Sequence, residues 1–143
     1  MPGLYEKQGL RFAYPDNWTV DEDDESGQAD AAVTVNSPDT AFWSVMYYRG
    51  KRDVRELATC VLDALKDEYP EVEVDEATAA IDGGDACGYD LSFSYVDLLN
   101  TATIRAFHHT GQTYLVLSQA EDHELPVVEP VFEAMTASLV REF

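Results

Sequence analysis

The sequence predicts an α+β fold, an α/β sandwich with a mainly antiparallel β-sheet and two principal helices. Two segments, near 53–69 and 127–140, carry apolar residues at helical spacing. Turn-forming Gly, Asp and Asn punctuate β-rich runs through the second half, and short β-rich runs broken by Pro and Asn fill the first. At 143 residues, with 45% apolar and 11% aromatic side chains, the chain has the length and core material of a single domain spanning 1–143.

Leu10 to Tyr14 and Trp18 to Val20 read as two short strands joined across Pro15, Asp16 and Asn17, because Pro fixes φ and Asp and Asn tolerate turn geometry. Strands follow at about Ala31 to Val35 and Phe42 to Arg49, split by the turn cluster Asn36, Ser37, Pro38 and Asp39, so the first half reads as a strand meander. A helix comes next. Asp53 and Glu56 have capping-box spacing, and Val54, Leu57, Ala58, Val61, Leu62 and Leu65 recur on one helical face until Pro70 stops the run.

Beyond it, Asp82 to Asp85, Asp97 to Asn100, and Gly111 with Gln112 read as three hairpin turns. If Val96 pairs with Thr101, then Tyr95, Phe93, Leu91 and Tyr89 lie opposite Ala102, Ile104, Ala106 and His108, and large side chains meet small ones on a packed face. The first of these hairpins needs a bulge near Ala77 to Ala80, because Val72, Val74 and Ile81 do not share a parity. The final helix, about Val127 to Val140, opens in the Leu125 to Pro130 segment and carries the stripe Val128, Phe132, Met135 and Leu139.

The charge is lopsided: 28 acidic against 9 basic residues, a net charge of −19. Binding a phosphate backbone depends on Lys and Arg displacing its counterions, so a nucleic-acid partner is excluded. Two explanations of the acidity stay open, a solvated surface suited to a salty interior and attraction to a basic partner. No apolar run reaches the ~18 residues of a membrane span, and the N-terminus lacks a signal-peptide pattern, so the chain reads as cytoplasmic. Cys60 and Cys87, without metal-binding spacing, read as a reduced buried pair.

The run Asp21 to Glu25 invites a calcium loop but fails its pattern, since Gly27 falls one position late and Ala32 stands where a bidentate Glu is needed. It reads as a mobile acidic loop. His108 and His109 are neighbours in a strand and point to opposite faces, which precludes joint chelation. His123, beside Glu121, Asp122 and Glu124, would need ligands from elsewhere for a dedicated metal site. There is no GxSxG elbow, P-loop, dinucleotide fingerprint or HExxH, and the sequence implies no catalytic residue, cofactor or resident metal.

One mixed constellation remains. The polar face of the second-half strands gathers Asp90, Ser92, Arg105, Phe107, His109, Tyr114 and Ser118, with Arg105 diagonal to Asp90. It reads either as a structural ion pair on a partly wet face or as a ligand-binding surface, Arg105 anchoring an anionic group between Phe107 and Tyr114.

The phrases LRFAYPDNW at 10–18, IDGGDACGYDLSF at 81–93, TIRAFHHTGQTYLVLSQA at 103–120 and EPVFEAMTASL at 129–139 resemble the PsbP/Mog-like superfamily. The likeness extends to its bacterial branch, which includes the effector-associated chaperones of type VI secretion. It spans nearly the whole chain, and every matching phrase is structural. It implies a non-enzymatic protein-binding module, an adaptor or chaperone whose partner and oligomeric state the residues leave open. The alternative is a small-molecule or lipid-binding domain using the face around Arg105.

Overall fold

A computed structural model describes residues 3–7, 9–22, 29–81 and 84–140. In chain order the elements are β1 (Gly3–Lys7), β2 (Leu10–Tyr14), β3 (Thr19–Glu22), β4 (Ala31–Asn36), β5 (Phe42–Tyr48), α1 (Val54–Glu68), β6 (Glu73–Ile81), β7 (Gly84–Tyr95), β8 (Leu98–His109), β9 (Gln112–Glu121) and α2 (Leu125–Leu139). Seven strands form one sheet in the order β3-β4-β5-β9-β8-β7-β6, every neighbour antiparallel, while β1 and β2 pair as a separate hairpin. This is the expected mainly antiparallel sandwich with two helices.

Alternate residues of β8 and β9 separate the two cores, as the two-residue period of a strand requires. Ile104, Ala106 and Leu115 face α1, packing with Ala58, Leu62, Leu65, Leu91 and Phe93. Phe107, Tyr114 and Val116 face the other way, where Phe132, Met135 and Leu139 of α2 and Leu10 and Phe12 of β2 cover them together with Trp43. Trp43 is fully buried and its indole N–H donates to Thr136 Oγ1 at 3.0 Å, so the largest core side chain is both packed and satisfied.

α1 follows its sequence signals closely. Asp53 accepts from the amides of Arg55 and Glu56 at 3.0 and 3.2 Å, filling the N-cap role, and Tyr69 is the C-cap just before Pro70. α2 begins at Leu125, the first residue of the segment expected to open it, because Pro126 fits the first turn, whose amides need no helical partner.

Several expectations change. β2 does not pair with β3; its partner is β1, a short polar strand joined to it through Gly9, at φ 90°, and not read as a strand from the sequence. The β7–β8 turn lies at Val96 and Asp97, with φ of 52° and 63°, not at Asp97 to Asn100. Two positive φ values suit a two-residue hairpin, whose backbone twist matches the strands; Leu98 to Asn100 then join the ladder, and Asn100 pairs with both Phe93 and Glu121. The register is therefore shifted by four from Val96↔Thr101, with Leu91 opposite Ala102 and Tyr89 opposite Ile104. The β8–β9 turn is Thr110 and Gly111, φ 51° and 80°, so the turn sits one residue earlier than Gly111 and Gln112.

No bulge interrupts β6: pairing runs unbroken from Glu73↔Ser92 to Ile81↔Gly84, and Val72 and Val74 pack towards α1. Of the expected turn Asp82 to Asp85, Gly84 and Asp85 belong to β7, and Asp82 and Gly83 lie outside the described residues. Cys60 is exposed on α1 and only Cys87 is partly buried, so the two are not a buried pair; burial pushes the Cys87 thiol pKa up. Among the described residues no helix is long and apolar enough to cross a membrane.

Candidate functional site

Strand parity placed Asp90, Ser92, Arg105, Phe107, His109, Tyr114 and Ser118 on one sheet face, and the ladders keep them there, because a register shift of four preserves parity. That face is divided. Phe107, Tyr114 and Ser118 lie in the core beneath α2 and the β1–β2 hairpin; Phe107 stacks on Tyr114 at 5.4 Å and Tyr47 tilts against Tyr114 at 5.3 Å. Burial, and secondarily the neighbouring Tyr47, raises the Tyr114 phenol above its ordinary pKa. His109 sits at the margin, its ring 6.4 Å from that of Tyr114.

Arg105 and Asp90 form the expected diagonal ion pair, Nη2 to Oδ1 at 2.9 Å, with side chains 18% and 49% exposed. Nη1 also donates to the carbonyls of Ile104, at 2.9 Å, and Tyr89, at 3.4 Å. Opposite Arg105 on β7 is Gly88, where an added Cβ would lie 1.7 Å from the Ile104 oxygen, so β7 approaches β8 more closely than any side chain allows. Ser92, half-buried, faces Thr101 and Glu73 across its two neighbours. Arg105 thus spends its donors on the fold.

The larger concavity lies elsewhere, at the end of the sandwich where β4, β7 and β9 finish. It has a volume of about 580 Å³ and is built from segments far apart in sequence: Asn17 and Trp18 after β2, Ser37 to Thr40 between β4 and β5, Leu98 at the start of β8, and Glu121, His123 and Glu124 leading into Val127, Val128 and Val131 of α2. Leu98 and Val127 are 42% and 73% exposed, and Val96 and Leu99 add exposed apolar surface around the same turn. Trp18 closes the floor, edge-on to Phe132 at 6.0 Å.

Glu124 shapes one wall. Its carboxylate accepts from Ser37 Oγ at 2.6 Å, from the amide and hydroxyl of Thr40 at 3.2 Å each, and from the Ala41 amide at 3.1 Å, tying the β4–β5 loop to the start of α2. Glu121 accepts from the His123 amide at 2.8 Å and pairs with its Nδ1. With Glu124 committed to the loop and Glu121 to His123, no group of three or more His, Cys, Asp or Glu among the described residues is placed to hold a metal ion. Of the acidic run, Asp21 and Glu22 belong to β3 and bind Asn36 and Lys7; Asp23 to Glu25 lie outside the described residues.

A second, smaller groove of about 360 Å³ runs between β2 and α2, lined by Ala13, Tyr14, Pro15, Pro130, Ala134, Met135 and Ser138, and it shares Val131 with the first. Sequence reasoning missed both concavities. Only the Trp planted after Pro15 and the acidic stretch around His123 hinted at the first.

No family model matches the chain, and no curated protein matches it. Solved structures do. The cyanobacterial PsbP, CyanoP, of Synechocystis superposes with a TM-score of 0.60 at 13% identity, over 96% of this chain and 90% of that one. A Pseudomonas aeruginosa protein of unknown function, PA94, gives 0.53 at 15% identity over 99% and 98%. A Bacteroides thetaiotaomicron protein gives 0.64 at 14% identity over 97% of this chain, which spans about half, 48%, of that longer protein. At these identities what is shared is the architecture, and the chain has a PsbP-like fold.

Proposed function

We propose that this chain is a non-enzymatic protein-binding module, an adaptor or chaperone for another protein, and that the partner sits in the cavity at the sandwich end. One observation carries the reading: Leu98 and Val127, 42% and 73% exposed, border one cavity of about 580 Å³ floored by Trp18. Apolar side chains held at a concave rim by packed elements are what a partner's apolar side chain buries against.

Affinity capture from native cells tests it, using wild type beside a Leu98→Ser/Val127→Ser variant. A stoichiometric protein recovered by the wild type and lost by the variant is expected. A partner captured equally by both, or none in repeated low-salt captures, counts against the reading. In its finer form the partner is a secreted effector, in line with the sequence resemblance to secretion chaperones; type VI secretion genes beside this one would favour it. Cytoplasmic residence belongs to the same proposal, and fractionation of native cells checks it.

The alternative, a small-molecule or lipid site around Arg105, draws on the partly exposed Arg105–Asp90 pair. Thermal shifts with fatty acids that appear in wild type and vanish in Arg105→Gln would favour it.

A further inference from the structure

We infer that the occupant is an extended basic and apolar segment of the partner: one or two Lys or Arg side chains at the sandwich end, followed by apolar side chains laid along α2. The inference rests on the protein-binding reading and names its partner's chemistry. Three observations lead to it.

The first is length. Val131 borders both concavities, so the two adjoin, and their combined lining follows α2 from Val127 to Ser138, eleven positions. At 1.5 Å per residue that is about 16 Å, the span of about five residues of extended chain. A single pocket for one side chain would not need such a track.

The second is a change of chemistry along the track. Asp39, Glu121, His123 and Glu124 stand at the sandwich end, and no Lys or Arg is among the described residues lining the cavity. Further along, Ala13, Tyr14, Pro15, Ala134 and Met135 present no charge. Glu124 is committed to the β4–β5 loop and Glu121, 15% exposed, to His123, which leaves the exposed Asp39 to meet a cation while Glu121 adds its charge from behind.

The third is the polarity of the whole molecule. Four of the nine cationic residues, Arg49, Lys51, Arg52 and Arg55, follow β5 at the opposite end, where Gly50 and Arg52 bind Gln112 and Thr113 beside the β8–β9 turn. With a net charge of −19, the cavity end is left as an acidic mouth that attracts a basic segment and repels an acidic one. Charge selects and steers; apolar contact along α2 holds.

Nitrogen–proton NMR reads this directly, because the chain has two Trp residues, Trp18 at the cavity floor and Trp43 in the core. The probe is a short synthetic peptide with two lysines followed by alternating leucine and serine. Expected are saturable shifts of the Trp18 indole and of the Val127 to Ser138 amides, with Kd below about 1 mM and the Trp43 indole unmoved. Binding should weaken at least about fivefold in Leu98→Ser/Val127→Ser and in Asp39→Asn/Glu121→Gln, and stay unchanged in Asp63→Asn on α1.

Equal binding of a glutamate-for-lysine peptide, or equal weakening in Asp63→Asn, overturns the inference, because charge at the cavity would then select nothing. Trp18 shifts that grow with protein concentration in the absence of peptide overturn it in favour of a second copy as occupant. If the peptide fails while captured partner still depends on Leu98 and Val127, the binding module stands and only the basic, apolar class of its partner falls.

Discussion

Replacing Glu124 by Ala removes one carboxylate that holds the β4–β5 loop against α2 through four donors, at 2.6 to 3.2 Å. The short bond from Ser37 Oγ is charge-assisted, and such bonds contribute ~1.5–3 kcal/mol net. The other three are longer. Water can replace them at a half-exposed site, and the Ala41 amide keeps Ser37 Oγ, 3.1 Å away, as a second acceptor. The loss should therefore total about 2–3 kcal/mol, equivalent to a fall in Tm of roughly 6–9 °C for a domain of this size. Glu124→Gln retains an acceptor without the charge and should cost about half as much. Equilibrium urea unfolding followed by Trp fluorescence measures both, with an unchanged m value showing that the end states are the same. A double-mutant cycle with Ser37→Ala should give a coupling of about 1 kcal/mol. A loss below about 0.5 kcal/mol, or strict additivity with Ser37→Ala, would refute the reasoning that this carboxylate builds the cavity wall.

Gly88→Ala should cost about 3 kcal/mol or more, because its Cβ would lie 1.7 Å from the Ile104 carbonyl oxygen and the strands must part; the urea midpoint reads it. Val96→Gly should stabilise by about 1 kcal/mol, since Val96 holds φ 52° yet is 74% exposed and gives up little packing. Alkaline pH should destabilise the fold: burial raises the phenol pKa values of Tyr48 and Tyr114 above 10.0, so the neutral forms favour the folded state. That stability is fully present below the unfolded value of about 10 and is lost as pH rises through the folded values; denaturation monitored with tyrosinate absorbance checks the sign.

How much the sequence reveals depends on how local each signal is. α1 was legible almost to the residue, because the Asp53 cap, the apolar stripe and Pro70 all act within a few turns. The face shared by Arg105 and Asp90 was legible although the register was not, since a shift of four leaves parity untouched and the ion pair forms diagonally either way. The turn at Val96 and Asp97 was hidden because a β-branched residue gives no sign that it will take a positive φ. Phe107 and Tyr114 were placed on the correct face, but their burial follows from the β1–β2 hairpin folding over the sheet, a pairing announced by a lone Gly9 beside a short polar strand. The cavity was least legible. Its walls come from Trp18, the Ser37 to Thr40 loop, Leu98 and the start of α2, which meet only through tertiary packing.

The most direct test of the binding proposal places a photoreactive benzoylphenylalanine at position 127, on the exposed rim of the cavity, and irradiates native cells. Expected is one discrete adduct to another protein, with the crosslinked peptide carrying Lys or Arg followed by apolar residues, and no such adduct from the same group at position 63 on α1. An absence of adduct at 127, or the same adducts from both positions, would contradict the binding proposal.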